Sequence, residues 1–394
     1  MTGALKTITT EERRLRLGRR HRLAPGHDAE NVVVAASSLV CLHGTDPATV
    51  YMSARARVPG MTVGDLDRAL YEDRYLFKHL AMRRTLFVFP REMLAAAQAG
   101  ASNRVAARER RNLIKDVEGA GLHAYGGKWL ARAQKAVLDA LSDGREATSS
   151  ELRDQIPLLQ GAIEYGKGRS WGGMQPIAPR VFTILSASGD LIRAGNDGHW
   201  YTSRPRWMST RFWLGEAIPK MSEEEGVARL VEAWLRSFGP GTETDLKWWL
   251  GSTLTAVRKA LAAIEAVPVD LAGQAGYVLA GDLEAPDEVQ PWGALLPALD
   301  PTVMGWKERD WYLGGYAPAL FDTAGNAGPT VWWDGRIVGG WRQGESGEVQ
   351  LQMLEDIGNE ATSILEEQAA RLEEWLEGRR VLLRFPSPLW KEVG

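Results

Sequence analysis

The chain has 394 residues, enough to bury several apolar cores, and its single cysteine, Cys41, excludes an internal disulfide and any cysteine-rich zinc site. Six scattered histidines offer no metal-ligand spacing, so neither a metal nor a cofactor is expected. The net charge of −3 argues against a nucleic-acid binder only until it is divided: residues 1–115 hold 20 Lys/Arg against 11 Asp/Glu, residues 116–220 hold 13 against 11, and residues 221–394 hold 14 against 28.

A basic first part and an acidic last part suit one face turned to a polyanion and a solubilising far side. The first residues, MTGALKTITTEERRLRLGRRHRLAPG, are charged throughout, with no signal-peptide apolar core and no run long enough to span a bilayer. A cytoplasmic protein without membrane contact is expected.

In chain order, Thr10–Leu23 reads as a charged helix stopped by Pro25-Gly26, and Ala29–Leu42 as a small, apolar core helix. A further helix starts near Asp46 with Pro47 in its first turn. Another is capped by Thr62 and runs through DLDRALYEDRYLF, and MRRTLFVFP alternates as a strand. Three helices and a strand give a winged-helix order. It returns over residues 129–207, where two helices are followed by APRVFTILSASGDLIRAG and a hairpin ending in GHWYTSRPRW. It returns again from EGVARLVEAWLRSFGP through GTETDLKWWLG, capped by Thr242 or Thr244, to the hairpin VPVDLAGQAGYVL. Beyond Glu284 come Trp- and Gly-rich strands with a tight turn at Asp334-Gly335, a long acidic helix over residues 348–378, and a last strand, RRVLLRF. The expected fold is α+β: winged helices over residues 1–125, 126–220 and 221–283, then a β-barrel-like domain over 284–394.

Several strings in register (LHGTDP at Leu42–Pro47, ARARVPGMT, RRTLFVFP, SFGPGTETDLKWWLG, LLPALDPTVMGWKERDWYL and WWDGRIVGGW) resemble the winged-helix DNA glycosylases of the bacterial AlkZ type. The resemblance implies three tandem winged helices, a C-terminal β-domain, a concave basic surface around duplex DNA, and excision of alkylated purines. Where that family carries Gln-x-Gln or Gln-x-Asp to hold the hydrolytic water, this chain has His43-Gly44-Thr45, followed by Asp46-Pro47 as in the family.

An N3- or N7-alkylated purine is already cationic, so the enzyme mainly places a water and stabilises an oxocarbenium-like sugar. His43 would accept the water's proton, Thr45 would orient the water, and Asp46 would stabilise the sugar cation or fix the histidine tautomer; alternatively Asp46 and Thr45 serve the helix start. The absence of a lysine beside the motif favours a monofunctional hydrolase over a Schiff-base enzyme. Phosphate contacts are expected from Arg83 and Arg84 on the first wing strand, Lys167 and Arg169 in the GKGRSW loop, Arg180 on a helix, and Arg204 and Arg206 on the second wing. Lys307 and Arg309, with Asp300, belong to the LDPTVMGWKERDW string and would line the same cleft, whereas Trp306 and Trp311 suit a core.

The expected partner is double-stranded DNA with alkylated bases, met by a monomer in the bacterial nucleoid, with base excision repair or resistance to a genotoxin as the role. The alternative is a non-catalytic winged-helix DNA-binding regulator. An enzyme of another class lacks any supporting phosphate loop, Gly-x-Ser-x-Gly string or metal spacing.

Overall fold

Threonines start four helices by the same device. In the computed structural model, which describes residues 5–166, 172–382 and 384–390, reciprocal capping boxes join Thr9 to Glu12, Thr62 to Asp65, Thr148 to Glu151 and Thr242 to Asp245. Each box satisfies helix-end N–H groups that would otherwise lack a partner, at about 1 kcal/mol per cap.

The first unit comprises helices Val32–Ser38, Pro47–Arg55 and Val63–Asp67, the last running on as a π-helical turn to Glu72. Its antiparallel sheet places Leu86–Pro90 between Leu42–His43 and Leu76–Leu80. The strand Leu76–Leu80 falls where the sequence reads as the end of a helix. The helical winding ends in the π turn, and Arg74 takes a left-handed φ of 59°, so the chain reverses before Tyr75.

The second unit has helices Asn103–Gly119, Gly126–Ala140, Ser149–Gln155 and Ala178–Ala187, and a sheet ordered Ala147–Thr148, Pro205–Ser209, Leu191–Asn196. Its apolar residues form a core of their own. A two-stranded hairpin, Ala162–Tyr165 with Gly173–Pro176, precedes the last of these helices. The third unit packs helices Glu223–Phe238, Glu243–Leu250 and Leu254–Ala263 beside the hairpin Val267–Leu271/Gln274–Val278.

One continuous core joins the first unit, the third unit and the C-terminal part. Gly100 and Gly226 make the first of these contacts possible: a Cβ on Gly100 would lie 2.7 Å from the Gly226 carbonyl carbon. Helix Thr10–Arg20 joins the third unit to the C-terminal part. Thr7 bridges Asp270, Arg20 donates to the Gly239 carbonyl, and Arg14 donates to that of Trp311.

The C-terminal sheet corrects the barrel expectation. Its strands Gly293–Leu296, Thr330–Trp333, Arg336–Gln343 and Val349–Met353 pair in sequence order as an open antiparallel meander. Four strands are too few to close around even a side-chain-filled interior, and helix Asn359–Leu376 covers the apolar face instead. The turn at Asp334-Gly335 is as expected, with φ values of 45° and 80°. The strand expected at RRVLLRF does not form over residues 379–382. Gln343 takes its place in the hydrogen bonding: its side chain accepts from Val381 N–H and donates to the Arg379 carbonyl, which leaves no backbone ladder. Among the described residues no helix is long and apolar enough to cross a membrane, and no cluster of His, Cys, Asp and Glu has the makings of a metal site.

Candidate active site

His43 ends the strand Leu42–His43, opposite Phe87, whose ring it meets edge-on with centroids 5.4 Å apart. It is 7% exposed, and its Nδ1 is buried without a hydrogen-bond partner. Burial, reinforced by the positive charge of Arg83 and only partly offset by Asp300, pushes its pKa down to about 3. The imidazole is therefore neutral at physiological pH, with one ring nitrogen unprotonated. Gly44 holds the strand end in place by donating its N–H to the Leu86 carbonyl at 2.8 Å.

Thr45 is half-buried, and its carbonyl accepts from the Arg384 side chain at 3.5 Å. Asp46 occupies the N-cap position of helix Pro47–Arg55, where its carboxylate has only a loose contact with the Ala48 N–H and no well-formed capping hydrogen bond. It accepts instead from the Arg384 N–H at 3.3 Å. Burial raises its pKa, and the N–H groups of Arg384 and Ala48 offset part of that rise. The motif thus sets a neutral base next to a buried carboxyl, with the last described segment of the chain closing over one side.

The basic residues divide sharply. Arg83 and Arg84 do not lie on a strand; they are the two central residues of the tight turn between Leu76–Leu80 and Leu86–Pro90, with φ values of 53° and 61°. The Arg83 guanidinium lies over the Trp248 ring at 4.0 Å, while Arg84 pairs with Glu109 at 3.0 Å. Arg309 stacks on the same indole at 5.2 Å and on Phe321 at 4.7 Å. Lys307 is exposed beside this group, its backbone N–H held by Asp245 at 2.8 Å.

Arg180 is engaged internally, with its guanidinium 2.7 Å from Asp116 and bonded to the Tyr165 hydroxyl. Arg206 sits among three carboxylates, 2.8 Å from Asp197, 3.6 Å from Glu146 and 3.7 Å from Glu151. Arg204 is exposed at the end of the second hairpin. Lys167 and Arg169 lie outside the described residues.

A family model described as DNA glycosylase AlkZ-like matches residues 36–375. The chain belongs to the AlkZ-like DNA glycosylase family. No curated relative matches. The fold is similar to that of Streptomyces sahachiroi DNA glycosylase AlkZ, with a TM-score of 0.73 and 19% identity over 95% of this chain and 98% of that one. Function in this family makes the chain a DNA glycosylase, with DNA as its partner.

In this glycosylase Asp300 does not face a cleft. It is fully buried and bound on both oxygens by Arg57, with further hydrogen bonds from the Ser53 hydroxyl and Thr302 N–H. A cavity of about 750 Å³ between the first unit and helix Asn359–Leu376 is lined by Arg55, Met61, Arg371 and Trp375, away from His43. Trp306 is a core residue, packed against His21, Phe238 and Tyr312.

Sequence reasoning missed Trp248 and Arg384. Trp248 carried a signal: Leu246, Trp249 and Leu250 define the buried face of their helix, so the neighbouring tryptophan is a large apolar group off that face. Arg384 reaches Asp46 only through tertiary folding, across 338 residues of chain.

Proposed function

We propose that this glycosylase hydrolyses the N-glycosidic bond of N3- or N7-alkylated purines, including bulky adducts, in duplex DNA, as a monofunctional enzyme of base excision repair or genotoxin resistance. The first three units are read as winged helices, with boundaries near residues 125, 220 and 283, that present DNA to the first unit. The observation that carries the reading is His43: a buried, neutral imidazole with an unpartnered nitrogen, at the position where the family motif holds its water.

As the C1′–N bond breaks, its electron pair neutralises the cationic base, and the sugar becomes oxocarbenium-like. The water oxygen bonds C1′ and its proton passes to His43, while the Thr45 hydroxyl orients that water. The leaving base needs little protonation, so a single base suffices on the enzyme's side. Ionised Asp46 supports the sugar cation, and a growing positive charge nearby favours its ionised form against the effect of burial.

The test is base release from duplexes carrying N7-methylguanine, N3-methyladenine or a bulkier N7 adduct. Wild type is expected to release base, and His43→Ala to do so at least tenfold more slowly, a loss of about 1.4 kcal/mol of transition-state stabilisation. Duplex binding without release of any of these bases would leave the alternative, a DNA-binding protein without this chemistry.

A further inference from the structure

The arrangement of Arg83, Trp248 and Arg309 goes beyond the catalytic motif. Three distant parts of the chain meet there: the turn of the first unit's hairpin, the end of helix Glu243–Leu250, and the segment leading into the short helix Asp310–Leu313. Both guanidiniums lie over one indole. Among the described residues neither is within ion-pair distance of a carboxylate, whereas the neighbouring turn residue Arg84 is held by Glu109. Burial, reinforced by the positive charge of Arg309, lowers the pKa of Arg83 to about 10, so Arg83 stays cationic at neutral pH.

The backbone adds independent support. A tight hairpin turn with two left-handed residues normally takes Asn-Gly, and each arginine there carries strain of about 1 kcal/mol or more. The chain keeps that strain at the point that delivers Arg83 to the indole. Gly251 then makes room: at φ of 60°, a Cβ on it would lie 2.8 Å from Arg83 Cγ.

A stacked guanidinium keeps its in-plane N–H donors free, and two such forks with no acid between them suit a tetrahedral oxyanion. Each fork can give a phosphate oxygen pair two parallel N–H bonds, and two cations gathered at one ring offer more donors than a single side chain can. Arg83 also acts on the charge state of His43, which puts this member of the pair within electrostatic range of the motif.

We propose that Arg83 and Arg309, held by Trp248, form a binding site for one backbone phosphodiester of the DNA, fixing the strand relative to His43. The site rests on the reading above only in taking DNA as the partner. Trp248 is a positioning residue.

The experiment is duplex binding against salt concentration, using undamaged DNA so that catalysis plays no part. The variants are Arg83→Gln, Arg309→Gln, the double variant and Trp248→Leu, with Arg371→Gln on the acidic last helix as the charge-matched control. Loss of one phosphate contact lowers the slope of log K against log salt by about 0.9. The double variant is expected to show that drop and at least tenfold weaker binding at low salt, with unchanged circular dichroism. Trp248→Leu should weaken binding while leaving both charges in place.

An adventitious-anion site, filled by phosphate but not by DNA, would appear as inorganic phosphate protecting wild type against thermal unfolding while the duplex slope of the double variant matches that of Arg371→Gln. That outcome overturns the proposal. Normal wild-type binding without base release would overturn the catalytic reading and leave this site standing.

Discussion

Arg57 and Asp300 meet as a bidentate ion pair, with nitrogen–oxygen distances of 2.8 and 3.0 Å and both side chains fully excluded from solvent. The pair ties the end of helix Pro47–Arg55, which follows the His43–Asp46 motif, to the helix start at Pro301. Burial opposes ionisation of Asp300, but the Arg57 charge and the hydrogen bonds around it hold the carboxyl below its usual range. Asp300→Asn would leave the Arg57 charge buried without a counter-ion, which costs about 3 to 5 kcal/mol. Paired Arg57→Met and Asp300→Leu substitutions should cost much less, since they remove both charges. Urea unfolding distinguishes the two, and equal losses would mean that packing rather than charge is at stake.

His43 makes a prediction about pH. A histidine at its ordinary pKa would lose base function as pH falls through about 6.5. One held near 3 stays neutral throughout the range in which the protein is folded, so single-turnover base release should be flat from pH 5.5 to 8. An inflection near 6.5 that disappears in His43→Gln would show that the imidazole is solvated and ordinary.

Asp46 separates helix capping from chemistry. Its carboxylate makes no well-formed capping bond, so Asp46→Asn should change the unfolding free energy by less than about 1 kcal/mol while slowing base release at least tenfold. Thr242→Ala is the converse case: it removes a side chain that accepts from Asp245 N–H in a complete capping box, and should cost about 1 kcal/mol. Comparable stability losses for the two variants would return Asp46 to a structural role.

What could be read in the sequence was local. The Thr242 cap, the Asp334-Gly335 turn and the helix, helix, helix, hairpin order of the third unit all follow from neighbours a few residues apart. The strand Leu76–Leu80 was hidden because its partner lies beyond a turn built from two arginines, residues that carry no turn signal of their own. The candidate motif, His43-Gly44-Thr45-Asp46, could be located by resemblance, but the neutrality of His43 depends on a burial that the whole fold supplies. Arg206 shows the same limit: a basic hairpin residue looks like a phosphate ligand until Asp197, Glu146 and Glu151 close around it.

That cage gives a prediction opposite to the one for Arg83. Three acceptors already satisfy the Arg206 guanidinium, and a partly exposed site of this kind loses little free energy on removal of one charge. Arg206→Gln should leave the salt slope of duplex binding unchanged to within about 0.3. A drop near 0.9 would mean that the acids release the arginine when DNA arrives.

Acid stability follows from three buried histidines. His21 Nδ1 lies 2.8 Å from the Thr302 hydroxyl and Nε2 lies 3.2 Å from the Ser237 carbonyl, so the neutral ring with its proton on Nε2 satisfies both by accepting from the hydroxyl and donating to the carbonyl. Burial lowers its pKa to about 3, as it does that of His43, and lowers that of His79 to about 4. A folded pKa below the unfolded value means that the unfolded chain binds more protons between the two. The stabilisation is therefore complete above about pH 6.5 and is lost as pH falls toward 4, at about 1.4 kcal/mol per pH unit for each ring. Three rings together lose about 4 kcal/mol per unit near pH 5, a large share of an ordinary folding free energy of about 5 to 15 kcal/mol. The urea midpoint should fall steeply between pH 6.5 and 5, and His79→Gln should remove about a third of that slope. A midpoint that stays constant down to pH 5 would mean that these rings are charged, or hydrated, inside the fold.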